Sequence, residues 1–222
     1  DLSFNLSFNN KRNTSNFNLW AIGGLSKEDY SAVEDVNEWD EYDDYAIYDF
    51  RTNMGAIGLS HQLQVGKNGL WKTSLAFMGQ KISFVDDTLN TNKTPYNVND
   101  ELYLNNGISF STNYNTKPGK RINWKTGISI DRINYSFNQS FYDFNLHTYR
   151  QNVIDGDGTS WLWQPYTQIV WKPGTKFTIN AGLHILYLAL NDKNTVEPRL
   201  GIQYKLNSNH TIGLAGGLYG KV

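Results

Sequence analysis

Apolar and polar residues alternate with a period of two in ten separate segments of this chain, and this pattern constrains the fold more than any other feature. A period of two places successive side chains on opposite faces of a β-strand. No segment keeps the period of an amphipathic helix over several turns. The sequence therefore predicts an all-β fold. The predicted strands span residues 2–9, 16–25, 46–65, 70–85, 101–115, 121–135, 161–172, 176–190, 196–206 and 211–220.

The segment 196–206 shows the two faces of such a strand most clearly. One face carries Val196, Pro198, Leu200, Ile202, Tyr204 and Leu206. The other face carries Glu197, Arg199, Gln203 and Lys205. An antiparallel strand with one apolar and one polar face separates an apolar medium from water. We expect the four polar residues to face a lumen, where Glu197 and Arg199 form an ion-pair ladder, contact a plug or line a substrate path.

The connections between the predicted strands alternate in length. Short connections fall at residues 10–15, 66–69, 116–120, 173–175 and 207–210, and several carry the Pro-Gly or Gly-Lys-Asn-Gly chemistry of tight turns. Long connections fall at 26–45, 86–100 and 136–160, and the eighth connection, 191–195, breaks the alternation. Antiparallel up-and-down strands with tight turns on one rim and long loops on the other are typical of a transmembrane β-barrel. The three long loops are expected to face outward and to capture substrate.

Large aromatic residues fall on the apolar phase of their strands near the short turns. They are Trp71, Tyr114, Trp124, Trp171 and Tyr204, and Trp163 shares the phase of Trp171. Eight residues at ~3.3 Å per residue and a tilt of ~40° separate Trp163 from Trp171 by roughly 20 Å of height. Such a spacing is typical of the aromatic girdles that border a lipid-facing band. The six residues are predicted to lie at the membrane interface, on the outside of the barrel.

Closure of the barrel raises a question of strand number. A sheet in hydrocarbon leaves no unpaired edge, and the first predicted strand is short while the last reaches Val222 without a terminating signal. The chain also begins at Asp1 within an alternating run. We therefore expect residues 1–222 to belong to one barrel domain, as an interior part of a larger barrel cut from a longer precursor.

Composition excludes several classes of function. Twenty Lys and Arg residues balance 21 Asp and Glu residues, which argues against a nucleic-acid-binding protein. Cysteine is absent, so disulfides, thiolate catalysis and Cys-ligated zinc are excluded. The four histidines have no metal-ligand spacing, and no catalytic grouping or cofactor motif is evident. The sequence predicts neither enzymatic activity, nor a metal site, nor a cofactor.

The C-terminal segment carries a family resemblance. Glu197-Pro198-Arg199-Leu200 opens one strand, Asn207–His210 form a turn, and Gly213, Gly216 and Gly217 follow in a glycine-rich strand. This succession resembles the barrel of TonB-dependent receptors, and the specific part covers about the last 50 residues. Gly217-Leu218-Tyr219-Gly220 departs from the Gly-Leu-His run of many members of that family.

The resemblance implies an outer-membrane transporter of a bacterium, with about 22 strands around a plug domain. It implies active uptake of a scarce nutrient, driven by TonB acting through the plug. Neither the plug nor the segment that contacts TonB is visible in this sequence, so no functional residue is carried over. The implied partners are outer-membrane lipid, TonB, a small substrate and a surface lipoprotein that caps the barrel.

The loop 26–45 is the most unusual local feature because it is dense in carboxylates with interleaved aromatic residues. The candidate residues are Glu34, Asp35, Glu38, Trp39, Asp40, Glu41, Asp43 and Asp44. Oxygen ligands at this density could bind Ca²⁺, and the rings could help to receive a cationic or sugar substrate. The alternative is an acidic, solvated loop. Asp155–Thr159 resembles the start of a calcium loop but lacks its later ligands and is predicted to be a turn.

Two other interpretations remain open from the sequence. The first is a self-contained ten-stranded outer-membrane barrel that serves as an adhesin, a structural protein or an enzyme, with His147 and Asp143 or Asp155 as the catalytic candidates. The second is a soluble all-β binding domain, which would bury its apolar residues in a shared core. Detergent dependence separates the soluble domain from both barrels.

Overall fold

The computed structural model describes residues 1–221 and contains one ten-stranded sheet. The strands follow each other in chain order, and every neighbouring pair is antiparallel. They are β1 (Leu2–Asn9), β2 (Ser15–Tyr30), β3 (Ala46–Val65), β4 (Gly69–Leu89), β5 (Pro95–Gly119), β6 (Ile122–Asp143), β7 (Thr148–Trp171), β8 (Phe177–Leu188), β9 (Lys193–Lys205) and β10 (Thr211–Gly217). A short 3₁₀ helix (Val36–Glu38) and helix α1 (Tyr42–Tyr45) lie between β2 and β3. The predicted all-β fold and its up-and-down topology are confirmed.

The short turns predicted at 10–15, 66–69, 173–175 and 207–210 lie where the sequence predicts them, whereas the turn predicted at 116–120 lies at 120–121 because β5 continues to Gly119. Strands β1 and β3 have the predicted bounds, and Gly66 occupies the left-handed region, with φ of 63°, at the start of the β3–β4 turn. This conformation is open to glycine at little cost, which explains the glycine at position 66. The alternation pattern therefore identified these strands and turns correctly.

The prediction of three long loops is wrong for two of them. Residues 86–100 consist mainly of the ends of β4 and β5, joined by a turn at 90–94, and residues 136–160 consist mainly of β6 and β7, joined at 144–147. Asp155–Thr159, predicted to be a turn, lies within β7 and pairs with β6. A sheet ladder pairs backbone groups and does not require apolar side chains, so strands continue where alternation has ended. Only the connection 31–45 is long.

The register divides the side chains into two faces. Residues opposite one another in an antiparallel ladder point to the same side of the sheet. Trp71 lies opposite Leu63 and Tyr114, so these three residues share one side of the sheet. The register of the following strand pairs identifies the residues on the same side as far as β10. The six predicted aromatic residues, Trp71, Tyr114, Trp124, Trp163, Trp171 and Tyr204, all lie on this side. We call it the apolar face and the opposite side the polar face.

The apolar face is covered by no other part of the described chain. Leu75 and Phe77 in the middle of β4 are 46% and 55% exposed, and Leu214 on β10 is 81% exposed. Within residues 1–221, Ala46 is the one fully buried apolar residue. The sheet also remains open, because β1 and β10 form the two ends of the strand order. The described residues thus lack the shared core that a soluble β-domain uses for stability.

Some aromatic rings on the polar face pack over glycines of the neighbouring strand. Trp20 lies opposite Gly58, and a Cβ atom built on Gly58 would lie 2.5 Å from the Trp20 ring. Tyr135 lies in the same way over Gly158. An aromatic ring over a strand glycine shields backbone that no side chain covers and fixes the local register.

We predict that Gly58→Ala destabilises the sheet by about 1–3 kcal/mol, because the added methyl group displaces the Trp20 ring. The measurement is the midpoint of urea unfolding in detergent, followed by tryptophan fluorescence. Gly79→Ala is the control, since a Cβ atom there meets nothing within 4 Å. Equal midpoints for the two variants would contradict the packing of Trp20 on Gly58.

Candidate functional site

The polar face carries a cavity of about 590 Å³ at the end of the sheet that bears the long connection. Its lining residues are Glu28, Tyr30, Asp43, Tyr48, Phe50 and Phe84, which we call the rim cluster. Four of the six are aromatic and two are acidic. The cluster is therefore a polar-face site built from rings and carboxylates.

The sheet register brings five of these residues together. Glu28 on β2 lies opposite Phe50 on β3, which lies opposite Phe84 on β4, and Tyr30 lies opposite Tyr48 in the next row of the polar face. The Tyr48 and Phe84 rings stack with centroids 6.0 Å apart and an interplanar angle of 17°. The Tyr30 and Tyr48 rings are 5.8 Å apart. Packed rings on three adjacent strands form a stiff aromatic surface.

The sixth residue, Asp43, comes from the acidic connection. The Tyr48 hydroxyl donates a hydrogen bond of 2.9 Å to Asp43 Oδ1. Helix α1 holds Asp43 in place because Asp44, at its third position, accepts hydrogen bonds of 2.8 Å from the backbone N–H groups of Asp40 and Glu41. These two hydrogen bonds hold the pKa of the Asp44 carboxyl below its usual value.

A partly buried contact anchors the connection to the sheet. The Tyr42 hydroxyl lies 3.0 Å and 3.1 Å from the two carboxylate oxygens of Asp86 on β4 and donates to that carboxylate. Burial, together with the neighbouring Asp86 charge, raises the pKa of Tyr42 well above its usual value. Tyr42 therefore keeps its proton at any ordinary pH. Thr88 donates a further hydrogen bond of 3.3 Å to the Tyr45 carbonyl oxygen.

Two of the acidic residues predicted as a site, Asp35 and Asp44, stabilise the short helices of the connection instead. Asp35 caps the 3₁₀ helix by accepting a hydrogen bond of 2.9 Å from the backbone of Asn37, which holds the pKa of its carboxyl below its usual value. Trp39 donates from Nε1 to the Val33 carbonyl oxygen, and Lys93 donates to the carbonyl oxygen of Glu34. Among the candidates Glu34, Asp35, Glu38, Trp39, Asp40, Glu41, Asp43 and Asp44, Asp43 alone lines the cavity.

Sequence reasoning missed Tyr30, Tyr48, Phe50 and Phe84, and it placed Glu28 in the loop although this residue lies on β2. A signal for two of them is present in the sequence. Tyr48 and Phe50 are aromatic residues on the phase of β3 that carries Gln62 and Ser60 further along the strand. Large aromatic side chains are unusual among the polar residues of a strand face. Where several occur together, they favour a binding surface on that face.

The predicted polar residues of β9 share one face, as expected. Glu197 is 3% exposed and accepts a hydrogen bond of 2.7 Å from Arg199 Nη2. His184 on β8 lies 3.1 Å from the same carboxylate oxygen. Gln203 and Lys205 continue this face towards the turn at 206–210. The geometry at Glu197 is that of a satisfied ion-pair ladder, one of the roles that the sequence predicts.

The catalytic candidate of the self-contained barrel is not assembled in the described part of the chain. Asp143 accepts hydrogen bonds from the backbone of Asn145 and Leu146 and lies 3.6 Å from Arg150, while no hydrogen bond joins it to His147. Asp155 lies opposite Asn138 in the middle of the ladder. Over residues 1–221, no group of three or more His, Asp or Glu side chains is placed to hold a metal ion.

No protein-family model matches the chain, and no curated protein matches it in sequence. None of the helices in residues 1–221 is long and apolar enough to span a membrane.

We predict that Tyr42→Phe loosens the connection 31–45, because the Asp86 carboxylate, in a residue that is 9% exposed, loses its donor. Loss of a buried hydrogen bond costs about 1–3 kcal/mol. Hydrogen exchange of amides 31–45 should become faster, while exchange in the middle of β4 stays unchanged. Tyr45→Phe is the matched control, since the hydroxyl of Tyr45 makes no hydrogen bond within the described residues. Unchanged exchange in Tyr42→Phe would show that Tyr42 is not the anchor.

Proposed function

We propose that this chain forms part of the wall of a bacterial outer-membrane barrel, and that the barrel is a TonB-dependent transporter for active nutrient uptake. The observation that carries the proposal is the uncovered apolar face, which extends over all ten strands. Apolar surface on this scale is unfavourable in water and favourable against lipid.

The dimensions of the apolar face support a membrane position. Trp163 and Trp171 lie on this face, eight residues apart on β7, which corresponds to roughly 20 Å of height for a strand tilted by ~40°. The ring N–H of Trp71 donates to Thr112 at 2.8 Å, and that of Trp124 donates to Thr167 at 2.9 Å. An aromatic ring with a polar atom suits the boundary between lipid and water. Trp71, Trp124 and Trp171 would then belong to the girdle near the short turns, and Trp163 would mark the opposite border of the apolar band.

The open ends of the sheet support a larger barrel. Strand β1 pairs only with β2, and β10 pairs only with β9, over the described residues. Hydrocarbon offers no partner for unpaired N–H and C=O groups, so both edges need further strands or each other. The resemblance at Glu197–Leu200 favours further strands, with about 22 in all around a plug. Energy from TonB would reach the substrate through that plug, and a surface lipoprotein could cap the rim.

The polar face supports a role in transport, because it combines a satisfied ion-pair ladder around Glu197 with the rim cluster. On this proposal the connection 31–45 faces the cell exterior and the rim cluster receives the substrate as it enters. The barrel performs no bond chemistry.

The proposal is tested on the native polypeptide in the producing bacterium. An antibody raised against residues 31–45 should detect the protein in the outer-membrane fraction and should label intact cells. The detected polypeptide should be long enough to hold about 22 strands and a plug. A polypeptide of about the length of this chain in the same fraction would favour the self-contained barrel, and detection in a soluble fraction would refute both barrels.

We predict that Leu75→Lys disrupts insertion whereas Ser74→Lys does not. Leu75 lies on the apolar face between Leu59 and Phe110, so the lysine would enter lipid at a cost of about 2–4 kcal/mol. Ser74 is its neighbour in sequence but lies on the polar face between Ser60 and Ser111. The measurement is the folded fraction in lipid vesicles, read from heat-modifiable electrophoretic mobility. Equal folded fractions for the two variants would contradict a lipid-facing apolar face.

A further inference from the structure

We propose that the rim cluster is a binding site for an organic ammonium ion, which would make the transported nutrient a small cationic molecule. This inference rests on the proposed function, since it takes the polar face as the inner surface of the barrel. The site consists of Glu28, Tyr30, Asp43, Tyr48, Phe50 and Phe84, and its cavity of about 590 Å³ suits a small molecule.

The charge of the site has one sign. No lysine or arginine lines the cavity, and the polar-face residues of β2, β3 and β4 beyond Met54 include none. Over the described residues, Glu28 forms no ion pair. The connection 31–45 adds six carboxylates besides Asp43 and contains no basic residue, and Lys93 from the β4–β5 turn contacts it at the Glu34 carbonyl oxygen. The local potential therefore attracts cations.

Nearby basic residues lie on the opposite side of the sheet. Lys27 and Arg51 are partners in the ladder, and both point to the apolar side. Lys27 lies 2.7 Å from Asp29, and Arg51 lies 2.6 Å from Asp49. The ladder thus separates the charges at this end of the sheet: paired charges occupy one side, and carboxylates without a basic partner occupy the other.

The aromatic surface selects the type of cation. Ring faces attract an ammonium group and favour one that is weakly hydrated, such as a quaternary ammonium. Tyr30 and Phe50 are 43% and 37% exposed, so their rings are accessible. A metal ion would need several oxygen ligands converging on one point, and no such group is present in residues 1–221. Rings and separated carboxylates therefore favour an organic cation over Ca²⁺.

Binding is tested with choline as the probe, by titration calorimetry on the intact protein in a polyoxyethylene detergent. Phosphocholine and maltoside detergents are avoided, because their head groups resemble candidate ligands. Choline should bind, and its neutral analogue, in which carbon replaces the quaternary nitrogen, should bind at least about tenfold more weakly. Choline affinity should also fall as salt is raised.

Two pairs of variants localise the site. Glu28→Gln should weaken choline binding by about tenfold. Asp29→Asn also removes one negative charge, but from the apolar side of the sheet, and should leave the choline affinity nearly unchanged. Phe84→Leu should weaken binding by a similar factor, whereas Phe77→Leu on the apolar face should not.

Four results would overturn the inference: no binding of choline, equal binding of the neutral analogue, equal effects of Glu28→Gln and Asp29→Asn, or binding of maltohexaose in place of choline. These results are distinct from a failure of the proposed barrel, which would appear as detection of the native protein in a soluble fraction or as insertion of Leu75→Lys. If the protein inserts into vesicles and is labelled on intact cells but does not bind choline, the proposed barrel stands and the proposed cation site is overturned.

Discussion

Every feature of this sheet depends on the demand that each backbone N–H and C=O group be paired while one set of side chains stays apolar. The ladder meets that demand between neighbouring strands from β1 to β10, though not along the outer edges of β1 and β10, whether the side chains are leucine, asparagine or glycine. The apolar side chains lie on one face of the sheet, and almost no other part of the described chain packs against that face. A soluble domain would fold a second layer onto that face. In the proposed barrel, lipid covers the apolar face in place of that second layer.

The acidic connection illustrates how polar side chains can serve structure before they serve binding. Asp35 and Asp44 cap short helices, and Tyr42 reaches down to the carboxylate of Asp86. These hydrogen bonds involve two of the seven carboxylates in the segment that resembles a metal site in the sequence. The carboxylates that line the cavity are Glu28 and Asp43, held beside aromatic rings by the strands and by Tyr48. The proposed cation site is therefore a property of the sheet and the connection together.

Sequence reasoning located the strands best where one face is apolar. The bounds of β3 were predicted correctly, whereas β7 begins at Thr148, thirteen residues before the predicted start at Trp161. In the proposed barrel, both faces of a strand contact water beyond the apolar band, so alternation ends there while backbone pairing persists. The same effect turned the expected loops 86–100 and 136–160 into strands with tight turns. It also explains why Glu28 was assigned to a loop.

The amino-acid sequence by itself determined the fold class, the order of the strands and the face on which residues such as Trp71 and Leu75 lie. It could do so because a period of two and the chemistry of tight turns act locally. The tertiary structure alone decided which residues meet across strands: Phe50 between Glu28 and Phe84, Tyr42 against Asp86, and Glu197 between His184 and Arg199. Such pairs depend on register, and register follows from the summed pairing of whole strands.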